Sequence, residues 1–171
     1  MVILVNEKDE TIGYMSKLEA HQKGVLHRAF SVLIFNSQRQ LLLQQRAIGK
    51  YHTPGKWTNT CCSHPYQDET PEDGAHRRLK EEMGMDAELK FLFKFQYKAP
   101  FDNELTEHEI DHVFIGFTDD LPSINKDEVN DFKYMYLNDI REDIVRNPDG
   151  YTAWFKIIIE GYHEYIERHL V

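Results

Sequence analysis

The stretch from Thr70 to Gly84 carries the firmest local instruction in this chain. Thr70 suits a helix cap, Pro71 the first helical position, Asp73 the first turn, and Gly84 the residue that ends a helix. The pattern predicts a helix over 71–83. Runs that read as strands flank it at 2–6, 11–15, 28–36, 40–46 and 58–63, and again at 89–98, 107–117 and 131–137, with Asn36-Ser37 opening a turn. A short helix is expected over 138–146, and another over 152–169 with the apolar stripe Trp154, Ile158, Tyr162 and Tyr165. The longest irregular stretches fall around 47–57 and 98–106. Strands mixed with a few helices imply an α/β (α+β) fold in which a mixed β-sheet packs between helices.

A length of 171 residues suffices for one well-packed core, and no repeat, low-complexity tract or Pro/Gly/Ser linker divides it, so 1–171 is expected to be a single domain. Met1-Val2-Ile3-Leu4-Val5 has no basic lead and reads as a strand, not a signal peptide. No apolar run approaches the roughly 18 residues of a membrane span, so no membrane partner is expected. The two cysteines are adjacent, which rules out an ordinary disulfide framework and favours a reducing, cytoplasmic setting. A formal charge of -9 argues against nucleic acid as a partner and leaves room for a small anionic ligand held by local cations. Monomer and homodimer both remain open.

Two segments carry candidate chemistry. In Thr58-Asn59-Thr60-Cys61-Cys62-Ser63-His64-Pro65, strand alternation points Cys62 and His64 one way and Cys61 the other. A thiol beside a metal-type ligand suggests a reactive site, although paired cysteines are also commonly buried as small hydrophobes. In Glu107-His108-Glu109-Ile110-Asp111-His112, Glu107 and Glu109 share a face roughly 6.6–6.8 Å apart along the chain, while His108 and His112 face away. The pair is either a solvated acidic edge or half of a cation site. With His21, His27 and His64 as the other candidates, the set would fit zinc, manganese or magnesium.

Arg77-Arg78-Leu79-Lys80-Glu81-Glu82-Met83-Gly84-Met85 resembles the end of the Nudix box, whose helix-borne glutamates hold the magnesium bound to a diphosphate. Glu82 matches the last of them. Arg78 stands where that box has its first glutamate, and Gly55 lies too far upstream for the usual spacing. A charge reversal at a metal ligand removes one magnesium site and supplies a phosphate-binding cation instead. By themselves Arg78 and Glu82 also read as an exposed i,i+4 pair.

Together with Ala20-His21, His27-Arg28-Ala29-Phe30-Ser31, Gln45-Arg46, Trp57 through Pro65, Tyr97, Glu107-His108-Glu109 and Trp154, this helix resembles the type I isopentenyl-diphosphate isomerases, in order and over nearly the whole chain. The resemblance implies a Nudix-type fold and a reversible double-bond shift between isopentenyl and dimethylallyl diphosphate. It implies Cys62 and Glu109 as the acid and base, with Tyr97 hydrogen-bonding the carboxyl group and Trp154 offering an aromatic face to a carbocation-like state. It further implies a divalent ion (Mg2+, Mn2+ or Zn2+) on His21, His27, His64, Glu107 and Glu109, and a separate Mg2+ on Glu82 arriving with the diphosphate. Lys17, Arg46, Lys50 and Arg78 would grip the phosphates and Ser63 would touch substrate, whereas His52, His76, His163 and His169 match no motif position and are expected on the surface or on helices. Two other classes stay in view. A Nudix pyrophosphohydrolase would need the glutamate that Arg78 replaces and has no use for Cys62; a non-catalytic metal-binding module would leave the cysteine and glutamate unexplained.

Overall fold

The computed structural model describes residues 1–50, 52–101 and 103–170. Along the chain lie β1 (Val2–Val5), β2 (Thr11–Met15), α1 (Lys17–Lys23), β3 (His27–Phe35), β4 (Leu41–Arg46), β5 (Trp57–Thr58), β6 (Cys61–Ser63), α2 (Pro71–Met83), β7 (Lys90–Phe101), β8 (Leu105–Phe117), β9 (Val129–Met135), α3 (Leu137–Arg146) and α4 (Ala153–Glu167). The strands form one mixed sheet of nine. β3 is its axis: it runs parallel to β8 from His27 opposite Glu109 to Phe35 opposite Phe117, and antiparallel to β1, β4 and β6.

The apolar run of β3 is buried on both faces, as expected of a strand covered on two sides. Leu33 and Phe35 join a core with Leu137, Ile140, Phe155 and Ile158 of α3 and α4. Phe30, Val32 and Ile34 face the other way, onto Ala75, Leu79 and Met83 of α2. The mixed sheet between helices is therefore present, and the alternation that builds it also separates the two cysteines. Cys61 belongs to the α2 side and Cys62 packs against the α4 side.

The helix over 71–83 has the ends expected of it. Thr70 Oγ1 accepts from Asp73 N at 3.1 Å and Asp73 reciprocates to Thr70 N. Gly84 closes the helix at φ 61°, where a Cβ would also sit 2.6 Å from Ser123 O, so both conformation and space demand glycine.

Four expectations need correction. No helix was expected at 17–23, yet α1 forms there, capped by Ser16 Oγ accepting from Glu19 N at 3.2 Å and ended by Gly24 in the left-handed region. The Ser-x-x-Glu signal was present, but seven residues give too little periodicity to register. The irregular stretch at 98–106 is mostly β-hairpin: β7 and β8 pair out to Phe101 opposite Leu105, and Asn103 and Glu104 near the turn take positive φ. The stripe of α4 is also displaced: Trp154, Phe155, Ile158, Ile159 and Ile166 are buried, whereas Tyr165 is exposed and Tyr162 stacks on Phe93 at 4.0 Å.

The strand expected over 58–63 is broken at Asn59-Thr60. β3 and β4 meet at Phe35 and Leu41 and then part, and the segment wedges between them, β5 pairing with β4 and β6 with β3. At the fork, side chains replace ladder bonds: Thr60 Oγ1 donates to Leu42 O at 2.6 Å and accepts from Ile34 N at 3.0 Å, and Gln44 Nε2 donates to Thr60 O at 2.9 Å. Buried backbone groups are thus satisfied without a continuous strand.

Candidate active site

The split sheet leaves a pocket where β3 and β8 begin, between the C-terminal half of α2 and the start of α4. Its walls include Lys17, Arg46, Lys50, Cys62, Ser63, His64, Arg78, Glu82, Tyr97, Glu107, Glu109 and Trp154. His21 and His27 stand behind Glu109, fully buried. Every site residue expected from the sequence therefore falls in one region of the fold. His108 and His112 project from the other face of β8, His108 to Gly24 O and His112 to Asp9.

Pairing of β3 with β8 sets His27 opposite Glu109, and β6 brings His64 beside them. His64 Nε2 lies 3.1 Å and His27 Nε2 3.6 Å from Glu109 Oε2. One ligand atom from each of His21, His27, His64 and Glu109 lies within 4.8 Å of every other. His27 Nδ1 is 2.8 Å from Val25 O, which sets that nitrogen as the donor and leaves Nε2 with a free lone pair. Buried and without a hydrogen-bond partner, His27 Nε2 points at the carboxylate. Burial holds His64 down at about 4 and His21 at about 3, so these rings are neutral at pH 7 and able to ligate. Three imidazoles and one carboxylate at this spacing fit a divalent cation.

Glu107 lies outside this quartet of converging ligand atoms. Its Oε1 is 3.1 Å from His52 Nε2, and its Oε2 is 2.7 Å from the Tyr97 hydroxyl, which also lies 2.9 Å from Glu109 Oε1. A phenol has one proton to give, so both contacts are satisfied when Glu107 carries a proton of its own. The electrostatics agree. Burial and then the charge of Glu109 push Glu107 up to about 8. Burial also raises Glu109, but the charge and hydrogen bond of His64, with His27 and His21, draw it below its ordinary value in the acid range where those rings are protonated.

Cys62 sits opposite Ser31 on β3, and burial pushes its thiol up to about 12 against the opposing pull of Arg46. Cys61, on the other face, donates from Sγ to Glu82 Oε2 at 2.9 Å. The Arg46 guanidinium lies 5.6 Å from the centre of the Trp154 ring. Arg78 is not an exposed partner of Glu82 alone, since three carboxylates surround it: Glu81 at 2.7 Å, Glu128 at 3.4 Å and Glu82 at 3.5 Å. Glu128 also pairs with Lys50. Arg77 clamps the loop after β6, donating to both oxygens of Glu69 and to His64 O, with its guanidinium 3.6 Å over the Tyr66 ring.

Three polar residues of the pocket, His52, Asp111 and Ser31, were missed, and for His52 the expectation is reversed. His52 is buried, not on the surface, and packs against Phe101 and Trp154 as well as Glu107. It comes from an irregular stretch, where periodicity carries no signal. Asp111 and Ser31 also line the pocket, the hydroxyl donating to Asp111 Oδ2 at 2.7 Å. Asp111 was legible in principle, two positions beyond Glu109 on the same face of β8.

A NUDIX domain family model matches residues 25–155. An isopentenyl-diphosphate Delta-isomerase of Pectobacterium atrosepticum is 49% identical over 164 residues, covering 96% of this chain and 92% of that one. Isopentenyl-diphosphate Delta-isomerase 2 of Photorhabdus laumondii is 52% identical over 161 residues, covering 94% and 91%. Among solved structures, a Deinococcus radiodurans protein superposes with a TM-score of 0.78 at 19% identity over 93% of this chain and 96% of that one, and a MutT protein of Methanosarcina mazei with 0.68 at 19% over 84% and 94%. At such identity these two speak for the fold alone.

Proposed function

The chain belongs to the Nudix family and, within it, to the isopentenyl-diphosphate Delta-isomerases, and on that premise we propose that Cys62 and Glu109 are the proton carriers that move the double bond. The enzyme interconverts isopentenyl diphosphate and dimethylallyl diphosphate in isoprenoid biosynthesis. Shifting an unactivated alkene adds a proton at one carbon and removes another elsewhere, through a state resembling a tertiary carbocation. Two groups must therefore flank the hydrocarbon. The observation that carries the reading is that Cys62, from β6, and Glu109, from β8, line one pocket with Trp154. Whichever group gives the proton in one direction takes it in the other.

Tyr97 orients the Glu109 carboxyl through its 2.9 Å contact. Trp154 offers an aromatic face to the developing cation, an attraction worth about 2 kcal/mol once water is excluded. Arg46, Arg78, Lys17 and Lys50 hold the diphosphate, Ser63 touches the substrate beside Cys62, and Glu82 would hold a Mg2+ that accompanies the phosphates and offsets their charge. His21, His27, His64 and Glu109, with Glu107 alongside, would hold a second divalent ion (Mg2+, Mn2+ or Zn2+), whose charge tunes the Glu109 proton. The whole chain acts as one catalytic domain on a small diphosphate. Among the described residues no helix is long and apolar enough to cross a membrane.

Incubation with isopentenyl diphosphate and magnesium in deuterated water tests the assignment. Dimethylallyl diphosphate carrying deuterium is expected from the native protein, with none formed by Cys62→Ala or Glu109→Gln. Deuterated product from a folded Cys62→Ala variant would sink the proposed pair.

A further inference from the structure

We propose that Asn59 is a positioning residue for the isomerisation, tying the Trp154 indole to the strand that carries Cys62 so that aromatic face and thiol keep one spacing. Asn59 Oδ1 accepts from Trp154 Nε1 at 3.2 Å and from Thr58 Oγ1 at 2.8 Å. Its Nδ2 donates to Cys61 O at 2.7 Å and to Val32 O at 3.2 Å. Both acceptor sites and both donor sites of the amide are thus used, which fixes its orientation: a flip would set an amide nitrogen against two donors. Thr58 extends the network to Thr152 Oγ1 at 2.8 Å, at the cap of α4, and Thr152 N donates to Trp57 O at 3.1 Å.

Thr58, Asn59 and Thr152 are each 0% exposed and Trp154 is 4% exposed. Packing alone does not call for such a network, since apolar side chains could fill the same volume without the cost of burying polar atoms. Its two ends give it a purpose. One is the indole that walls the pocket; the other is the carbonyl of the Cys61–Cys62 peptide, so the amide holds the plane from which the Cys62 side chain departs. Aspartate in the same shape would turn an oxygen toward two carbonyls, so the geometry is specific to asparagine.

The inference rests on the reading that Trp154 faces the developing cation, and the test separates the two. Steady-state rates with isopentenyl diphosphate and magnesium are compared for Asn59→Ala, Trp154→Phe, their double variant and Trp154→Leu, each checked for folding. Asn59→Ala and Trp154→Phe are each expected to lower kcat about ten-fold with KM little changed, and the double variant should fall no further than the worse single one. Independent, multiplying losses, or a KM effect with kcat preserved, would overturn the positioning role. Full kcat in Trp154→Leu would remove the cation reading itself; loss there with native kcat in Asn59→Ala would remove only the role of Asn59. Should Asn59→Ala fail to fold, Trp154→Phe decides, because it keeps the ring and the other three amide bonds while losing the N–H, and native kcat in it overturns the proposal.

Discussion

Cys61 Sγ lies 2.9 Å from Glu82 Oε2 on the α2 side of the sheet, while its neighbour Cys62 packs on the opposite side and lines the pocket. Adjacent residues on one short strand thus serve different ends of the site. Cys62→Ala is expected to abolish turnover, as removal of an obligatory acid–base group does, with the thermal transition unchanged. Cys61→Ser keeps a donor toward Glu82 and should stay within a few-fold of native turnover, whereas Cys61→Val should raise the magnesium concentration needed for half-maximal rate by about ten-fold. Turnover against magnesium for the three variants decides the matter. Equal losses at Cys61 and Cys62 would refute the division.

Arg78 sets the design of a second variant. Charge reversal to glutamate would crowd a fourth carboxylate among Glu81, Glu82 and Glu128, so any loss would mix binding with folding. Arg78→Gln removes the charge and keeps the reach. Losing one charge-assisted contact to a phosphate is expected to raise KM for isopentenyl diphosphate about ten-fold or more, with kcat less affected. A native KM in this variant would take Arg78 out of the phosphate site.

Part of the site was legible because its chemistry lies on strands, where period-two alternation says which side chains share a face. Lys17, His21, Lys50, Arg78, Glu82 and Trp154 lie on helices or loops and were assigned through the family resemblance. Glu107 with Glu109, and Cys62 against Cys61, follow that rule directly. The break at Asn59-Thr60 was hidden because its cause is the parting of β3 from β4, a contact between distant segments, and the bonds that permit it are side-chain bonds unrelated to strand propensity. His52 was misplaced for the same reason. Its burial depends on Phe101, Trp154 and Glu107, all remote in sequence.

Asp9 offers a stability test away from the pocket. Its carboxylate meets Arg28 Nε at 2.9 Å, Lys94 Nζ at 3.2 Å and His112 Nε2 at 2.8 Å, tying the β1–β2 turn to β3, β7 and β8. Burial raises the Asp9 pKa, but Arg28 and the other partners outweigh it and hold the carboxyl below its ordinary 3.8. A depressed folded-state pKa contributes stability that is fully present above the unfolded value and is lost as pH falls through the folded one. Asn tolerates the φ of 63° at this position, so Asp9→Asn isolates the charge. It is expected to cost about 1–2 kcal/mol near neutrality, and the gap to native should close as pH drops below about 4. Urea titrations at two pH values measure it; a gap that widens in acid would contradict the sign.

The quartet of His21, His27, His64 and Glu109 makes the last prediction. His27 Nδ1 is committed to Val25 O, leaving Nε2 buried, without a hydrogen-bond partner and 3.6 Å from Glu109 Oε2, and an orphaned nitrogen of this kind is costly unless something occupies its lone pair. A carbonyl behind a ligating imidazole is the usual arrangement that fixes its tautomer. Protein purified without chelator should therefore contain about one equivalent of divalent ion bound through this set. An ion that binds the folded chain and not the unfolded one raises apparent stability, so chelation should lower Tm, and re-addition of the ion should restore it. His64→Ala removes one of the four converging ligand atoms and should abolish both the bound metal and the chelator-induced shift. A native Tm that ignores chelator, in protein that contains no metal by elemental analysis, would leave the quartet as a buried polar cluster and move the tuning of the Glu109 proton entirely onto Tyr97 and His64.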